Sequence, residues 1–299
     1  MLSEQGLRRV RDQLVREELA AFMARCFATL NPGARFMPNW HIELIAEYLQ
    51  ACGRGELTRL IINMPPRSLK SLCVSVAWPA FLLGHAPERR VMAASYAQGL
   101  SNQHSNDCRH VMQSEWYRRL FPDTRLCREQ NEKHKFATTA HGVRFATSVS
   151  GTATGEGGDV LIADDAINPL QAMSAAGREA VNGWFDHTFA TRLNDKKRGV
   201  IVVVMQRLHA EDLSGYLLEK GGWEHLCLPA VAPARSVLMC GRVRKVRRKG
   251  ELLHAKRENG AMIERAKREL GSAHFAAQYQ QAPLTTQSSM VQLEWFTRF

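Results

Sequence analysis

The chain has 299 residues, enough to bury a substantial core, and its 45% hydrophobic and 23% charged content excludes a disordered or fibrous class. Forty Lys and Arg against 29 Asp and Glu leave a net charge of +11, which points to a polyanionic partner, nucleic acid first, or to charge that merely keeps the protein soluble. The seven cysteines (26, 52, 73, 108, 127, 227 and 240) form no Cys-x-x-Cys pair or zinc spacing, charges at Arg8, Arg9, Arg11 and Asp12 interrupt any signal-peptide core, and no apolar run approaches transmembrane length, so a soluble intracellular protein with reduced thiols is expected.

Residues 3–29 place Leu7, Val10, Leu14, Leu19 and Met23 at roughly helical spacing behind Ser3 and predict one helix, ended by Asn31-Pro32-Gly33. A second helix is expected from about Trp40 to Cys52, stopped at Gly53. Thr58–Asn63 reads as a strand that enters Met64-Pro65-Pro66-Arg67-Ser68-Leu69-Lys70-Ser71, with a helix over Lys70–Leu83 behind it. Strand, loop and helix start in that order make an anion site, because the first backbone N–H groups and the positive end of the helix dipole face the loop. Lys70 supplies a mobile charge for β- and γ-phosphates, and the Ser71 hydroxyl reaches Mg²⁺. Arg67 offers bidentate contacts to phosphate and charge for a transition state, or is a simple surface Arg. The loop has no glycine and Leu69 stands where one commonly precedes the Lys, so a plain strand–turn–helix is the competing reading.

Val91–Ser95 is the next strand, a helix runs from Gln98 to about Arg119, and Lys135–Thr138 with Val143–Val149 reads as a hairpin about His141-Gly142. Gly151 to Gly158 is glycine-rich and expected to be mobile. Val160-Leu161-Ile162-Ala163 then ends in Asp164-Asp165. A buried parallel strand reads as a continuous apolar run, and open α/β sheets bind ligands at the C-terminal ends of such strands. Asp164 there holds Mg²⁺ through water and Asp165 orients or deprotonates an attacking water; the competing reading is an ordinary strand with a solvated Asp-Asp turn. Loop and acidic strand together favour a nucleotide site.

A helix around Gly177–Thr191 precedes the β-branched run Val200–Met205, a central strand, with Gln206 and Arg207 directly after it. Strands alternating with helices predict a mainly parallel sheet. Beyond Pro233, Arg242, Arg244, Lys245, Arg247, Arg248 and Lys249 put six basic residues in eight, a phosphate-contacting loop or a solvated surface loop. Residues 260–281 read as a helix, and the sequence closes on Phe296-Thr297-Arg298-Phe299.

Five stretches in order resemble the large subunit of tailed-phage and prophage terminases, the ATP-driven DNA-packaging motors. Phe36-Met37-Pro38-Asn39-Trp40-His41 is similar to the family's adenine-side motif, and Met64–Ser71 to a glycine-poor phosphate loop of some members. Leu161–Asp165 resembles its Mg²⁺ strand, Met205–Leu213 its motif coupling hydrolysis to movement, and Ala276–Pro283 the stretch before its nuclease domain. The resemblance implies an α/β P-loop NTPase fold with a mainly parallel central sheet flanked by helices. An N-terminal helical segment with the adenine-side motif would span 1–53, the ATPase core 54–233, and a basic lid or linker 234–299. It implies ATP and Mg²⁺ as cofactors, with Asp165, Arg67, Gln206 and Arg207 catalytic. Pro66, Arg67, Ser68, Leu69, Lys70, Ser71 and Trp40 would bind the nucleotide, and Ser71 and Asp164 the metal. Trp40 stacks on adenine in that reading or packs in a helix start, and Arg192 serves as an arginine finger for a neighbouring subunit.

Implied partners are double-stranded DNA, a homo-oligomeric ring on a portal, and a terminase small subunit, in the cytoplasm of a bacterial host and without a membrane. Two departures stand out. Asp165 is a methylene shorter than the Glu often found after the Mg²⁺ Asp. The family's nuclease domain should begin about where this sequence stops, so an ATPase half that does not cleave DNA is expected. The alternatives are a non-catalytic or degenerate P-loop DNA-binding fragment and a helicase-like DNA translocase; the latter normally carries a second ATPase domain, and only one motif set occurs here.

Overall fold

The computed structural model describes residues 3–151 and 155–284; Thr152-Ala153-Thr154 of the glycine-rich stretch and Phe296–Phe299 lie outside the described residues. The chain opens with α1 (Glu4–Glu17), α2 (Leu19–Leu30) and α3 (Trp40–Gly53), followed by β1 (Arg59–Asn63). A π-helical stretch, Leu72–Ala77, passes into α4 (Trp78–His85), then β2 (Arg90–Ser95), α5 (Gln98–Gln113), α6 (Glu115–Leu120), β3 (Leu126–Asn131), β4 (Lys135–Thr138) and β5 (Val143–Ser148). β6 (Val160–Asp164), α7 (Pro169–Met173), α8 (Ala175–Trp184), β7 (Val200–Met205), α9 (Leu213–Lys220) and β8 (Glu224–Cys227) come next, and β9 (Ser236–Cys240), β10 (Val243–Arg247) and α10 (Gly260–Gln278) complete the order.

Eight strands form one sheet in the order β3-β4-β5-β2-β6-β7-β1-β8, parallel from β5 to β8, with β4 and β3 added antiparallel at one edge. The mainly parallel α/β architecture expected from the alternating elements is the one found. The period-two alternation of the strands explains their unbroken apolar runs. Leu60, Ile62, Val160, Ile162, Val202 and Val204 face a core shared with α2, α3 and α5, whereas Ile61, Leu161, Ala163, Ile201 and Val203 face a second core built with α8 and α9.

Four expectations are corrected. The helix expected over 260–281 is two segments that meet at Gly271, whose backbone (φ 75°, ψ 160°) only glycine adopts freely. The single helix over residues 3–29 is two helices, broken at an extended Glu18 (φ −107°, ψ 110°); the Leu19 N–H beyond the break donates to Gln50 Oε1 at 3.1 Å. The helix from Gln98 also breaks, at Ser114, which turns extended and caps α6 through its own hydroxyl. The basic run 242–249 is neither of the loops considered but half of an antiparallel hairpin, β9–β10, in register from Cys240–Val243 to Ser236–Arg247. Carboxylates distant in sequence neutralise part of it. Arg242 meets Glu18 at 2.6 Å and Glu47 at 3.5 Å, and Lys245 meets Glu251 at 2.7 Å. Arg247 is buried and donates to the Pro229 and Glu251 carbonyls at 2.9 and 2.8 Å.

The helix behind the loop contains Pro79, which lacks the N–H that would satisfy the Ser75 carbonyl one turn earlier. Arg144 of β5, wholly buried, fills that gap: its Nη2 donates to Ser75 O at 3.0 Å. Arg144→Met is expected to cost about 2–4 kcal/mol in chemical denaturation, since it orphans a buried carbonyl. Adding Pro79→Ala, which restores the helical donor, should recover part of that loss.

The start of α3 is pinned across the chain. Asn39 Nδ2 donates to Leu253 O at 2.7 Å and also meets Nδ1 of His41. His41 is buried, and burial, aided by the neighbouring His254, pushes its pKa down from 6.5 to about 3. Its unfolded state therefore takes up a proton below pH 6.5 while the folded state does not. Stability should be fully present above pH 6.5 and fall as the pH drops toward 3, by about 1.4 kcal/mol per pH unit from this residue. Urea midpoints measured against pH should show a shallower acid slope in His41→Gln.

Candidate functional site

The C-terminal ends of β1, β7 and β6 lie side by side, with Asn63 opposite Met205 and Asp164 opposite Val204. Fully buried Asn63 ties β1 to β7, α9 and β8: Nδ2 donates to Met205 O at 3.1 Å and Ser214 Oγ at 2.9 Å, and His225 Nε2 lies 2.9 Å from its Oδ1. The loop after β1 turns at this edge with left-handed backbone at Arg67 (φ 61°) and Leu69 (φ 66°). These are conformations that glycine adopts freely and that cost other residues about 1–2 kcal/mol each. Leu69 is held by packing its side chain against the core beside α2 and α3. Alternating backbone of this kind turns successive N–H groups into one concavity suited to an anion.

Lys70 and Ser71 open the helix, and two acidic residues meet them. Lys70 Nζ lies 3.0 Å from Asp165 Oδ2. Burial raises the Asp165 carboxyl above the usual carboxylate range; the Lys70 ammonium opposes that shift and the adjacent Asp164 adds to it. Asp164 is itself 1% exposed. Ser71 Oγ donates to its Oδ1 at 3.1 Å, Ser75 Oγ donates to its Oδ2 at 2.6 Å, and His104 Nδ1 of α5 stands 3.5 Å from Oδ2. Sequence reasoning missed Ser75 and His104. Ser75 was discoverable, because it is spaced i, i+4 from Ser71 and shares its helix face; nothing local marks His104.

The remaining candidates fall into two groups. Pro66 and Ser68 lie in the loop, and Arg67 is exposed on it with no carboxylate partner among the described residues. Gln206 follows β7, which is hydrogen-bonded to both β1 and β6, and its Oε1 is buried with no hydrogen-bond partner among the described residues. Arg207 turns away. Its Nε donates to Asp212 Oδ1 and Oδ2 at 2.9 and 3.1 Å, and its Nη2 to the His209 and Ala210 carbonyls at 3.2 and 3.1 Å. Asp212, wholly buried, also caps α9 and accepts the Leu208 and His209 N–H groups, so the turn over 206–212 is one knotted unit. The Trp40 ring lies beneath two cations of the hairpin, Lys245 Nζ at 5.5 Å and Arg247 at 5.6 Å. A cavity of about 210 Å³ adjoins Leu69, lined also by Phe27, Met37, Ile42, His41 and His254 and by two cations, Arg35 and Arg257; Trp40 is not part of its wall. Arg192 sits at the far end of β6 from Asp164, where its carbonyl accepts the Gly158 N–H at 3.0 Å and its guanidinium bonds Thr188 O at 3.1 Å.

No family model matches the chain, and no curated protein sequence matches it. Solved structures do. The HK97 bacteriophage large terminase is 14% identical with a TM-score of 0.45, covering 72% of this chain and 44% of its own. The large terminase of a thermophilic bacteriophage is 8% identical with a TM-score of 0.50, covering 82% of this chain and 53% of its own. An ATPase-domain variant of the Thermus phage P74-26 large terminase is 12% identical with a TM-score of 0.49, covering 79% of this chain and 93% of its own. The chain thus spans about half the length of the first two. At such identities the likeness is one of fold: this chain has the helix-flanked, mainly parallel α/β fold seen in phage large terminases.

Proposed function

We propose that the chain is an ATP-hydrolysing motor subunit of the phage terminase kind that translocates double-stranded DNA into a procapsid. The observation that carries this reading is the double pairing at one sheet edge: Lys70 with Asp165 and Ser71 with Asp164, at the start of a helix. A phosphate chain on the loop would meet the first helical N–H groups and the Lys70 ammonium. The cavity beside Leu69 combines apolar side chains with Arg35, Arg257, His41 and His254, a lining that can pack against and hydrogen-bond a purine base.

The residues present fit Mg²⁺. A hydroxyl and one carboxylate already converge, and no cluster of three His, Cys, Asp or Glu occurs among the described residues. That matches an ion that keeps several waters and takes further ligands from phosphates. Bound Mg²⁺ would neutralise charge on the β- and γ-oxygens, with Ser71 and Asp164 holding it. Asp165, its basicity raised by burial, would accept a proton from the attacking water, and the unpartnered Gln206 Oε1 would take that water's other hydrogen. Arg67 would supply charge at the transferred phosphoryl group. Arg207 would act on the turn through Asp212. A homo-oligomeric ring on a portal, a small subunit, and Arg192 reaching a neighbour's site belong to the same reading.

Steady-state hydrolysis with Mg²⁺ tests it. Lys70→Ala should lower kcat roughly 100-fold or more, as loss of a charge aimed at the transition state does. Asp164→Ala should abolish Mg²⁺-dependent nucleotide binding, and normal turnover by either variant would refute the assignment. DNA contact is testable apart from hydrolysis. Arg242, Lys245 and Arg247 are engaged within the fold, which leaves Arg244, Arg248 and Lys249 of the hairpin for phosphates. Replacing those three by Ala should flatten the slope of log affinity against log salt by about 2–3. An unchanged slope would place the DNA elsewhere.

A further inference from the structure

The helix α10 rests on a third, small apolar cluster of Ala230, Ile263 and Phe275, separate from the two cores that flank the sheet. Its C-terminal end nevertheless reaches the candidate site. Gln281 is 5% exposed, and its carboxamide joins two backbones. Oε1 accepts the Arg207 N–H at 3.0 Å, and Nε2 donates to the carbonyl of Gln278, the last residue of α10. To do so Gln281 takes left-handed backbone (φ 57°), a conformation that costs a non-glycine residue about 1–2 kcal/mol and persists only where the surroundings impose it.

Each link onward is short. Arg207 follows β7 by two residues, and the Val204 carbonyl of β7 accepts the N–H of Asp165, the partner of Lys70, at 2.9 Å. Arg207 is also knotted to Asp212, so the 206–212 turn shifts as a unit. Next to Gln281, Gln280 clasps the Val231 backbone on both sides, accepting its N–H at 2.9 Å and donating to its carbonyl at 3.0 Å. Gln280 thus anchors the end of α10 to the segment after β8, while Gln281 alone addresses the turn beside Asp165.

We propose that Gln281 is a positioning residue that couples the occupancy of the nucleotide site to the placement of α10. The proposal rests on the nucleotide reading given above. A change at Asp165 and Gln206 between the triphosphate and diphosphate states displaces the Arg207 N–H. Gln281, holding that N–H and the last carbonyl of α10 at once, carries the displacement into the part of α10 beyond its break at Gly271, residues 272–278. A side chain that only filled space would not need both hydrogen bonds.

The test uses the full chain with Mg²⁺ and either a non-hydrolysable ATP analogue or ADP. Nucleotide affinity is measured by titration, and hydrogen exchange is followed over residues 272–278, the part of α10 beyond Gly271. In the unmodified chain, exchange in α10 should differ between the two nucleotide states. In Gln281→Ala that difference should shrink at least about fivefold, the scale of a modest coupling free energy, with nucleotide affinity changed less than about twofold. Gln281→Glu, which still accepts the Arg207 N–H but cannot donate to the Gln278 carbonyl, should lose the difference as well, and its retention there would overturn the two-sided coupling. If Gln281→Ala keeps the full difference, even with a lowered Tm, the residue is structural only and the proposal fails. An α10 that ignores nucleotide in the unmodified chain, despite measured binding, also overturns it. Absence of nucleotide binding in the unmodified chain would instead bring down the reading of the site itself.

Discussion

The structure is organised around two carboxylates placed side by side at the end of one buried strand. Asp164 and Asp165 follow four apolar residues of β6; Asp164 is wholly buried and cannot stand without partners, and the half-buried Asp165 beside it is paired as well. Asp164 takes two hydroxyls from a single helix face, Ser71 and Ser75; Asp165 takes the Lys70 ammonium. The helix that supplies all three must therefore begin where it does and hold its face toward β6, although β7 separates β6 from the strand that leads into the helix. The left-handed residues Arg67 and Leu69 and the wide helical stretch Leu72–Ala77 are the local adjustments that satisfy this demand.

That constraint also explains how the loop works without glycine. A glycine would adopt the required backbone at no steric cost but would gain nothing from packing. Leucine at position 69 carries the steric cost and offsets it by filling the space between the loop and the α2–α3 layer, where it also walls the neighbouring cavity. Pro79 is a second local violation with a distant answer. It leaves the Ser75 carbonyl without its helical donor, and a buried arginine from β5 supplies the replacement. Ser75 is thereby fixed at both ends, by Arg144 at its carbonyl and by Asp164 at its hydroxyl.

Much of this was legible in the sequence, and the boundary is physical. The strands β1, β2, β6 and β7 announce themselves because burial on both faces demands uninterrupted apolar residues. The order of loop and acidic strand was legible for the same reason. What was hidden depends on partners far away in the chain. The basic run looked like a free cationic loop because Glu18, Glu47 and Glu251, which neutralise Arg242 and Lys245, cannot be paired with them by spacing. Arg207 looked like a phosphate sensor until Asp212, five residues on, took its guanidinium. Trp40 lies in a motif-like stretch, yet its ring is covered by Lys245 and Arg247, again from the hairpin. The breaks at Glu18 and Ser114 show no Pro or Gly and depend on Gln50 and on a serine's own hydroxyl.

The same division between local and distant determinants bears on how the molecule can move. Both cores flanking the sheet are extensive, so the strands and their layers open only with the whole fold. α10 is different. Its apolar cluster contains three buried residues, and its attachment at the C-terminal end is a set of named hydrogen bonds: Ala230 N–H to Tyr279 O at 2.7 Å, the Gln280 clasp on Val231, and Gln281 on Arg207. Packing of a large apolar face responds weakly to a small displacement. A few directional bonds respond strongly, because each loses most of its strength within a fraction of an ångström or a few tens of degrees. An element with one such bond fixed to the turn beside Asp165 is therefore sensitive to what happens at the phosphate loop.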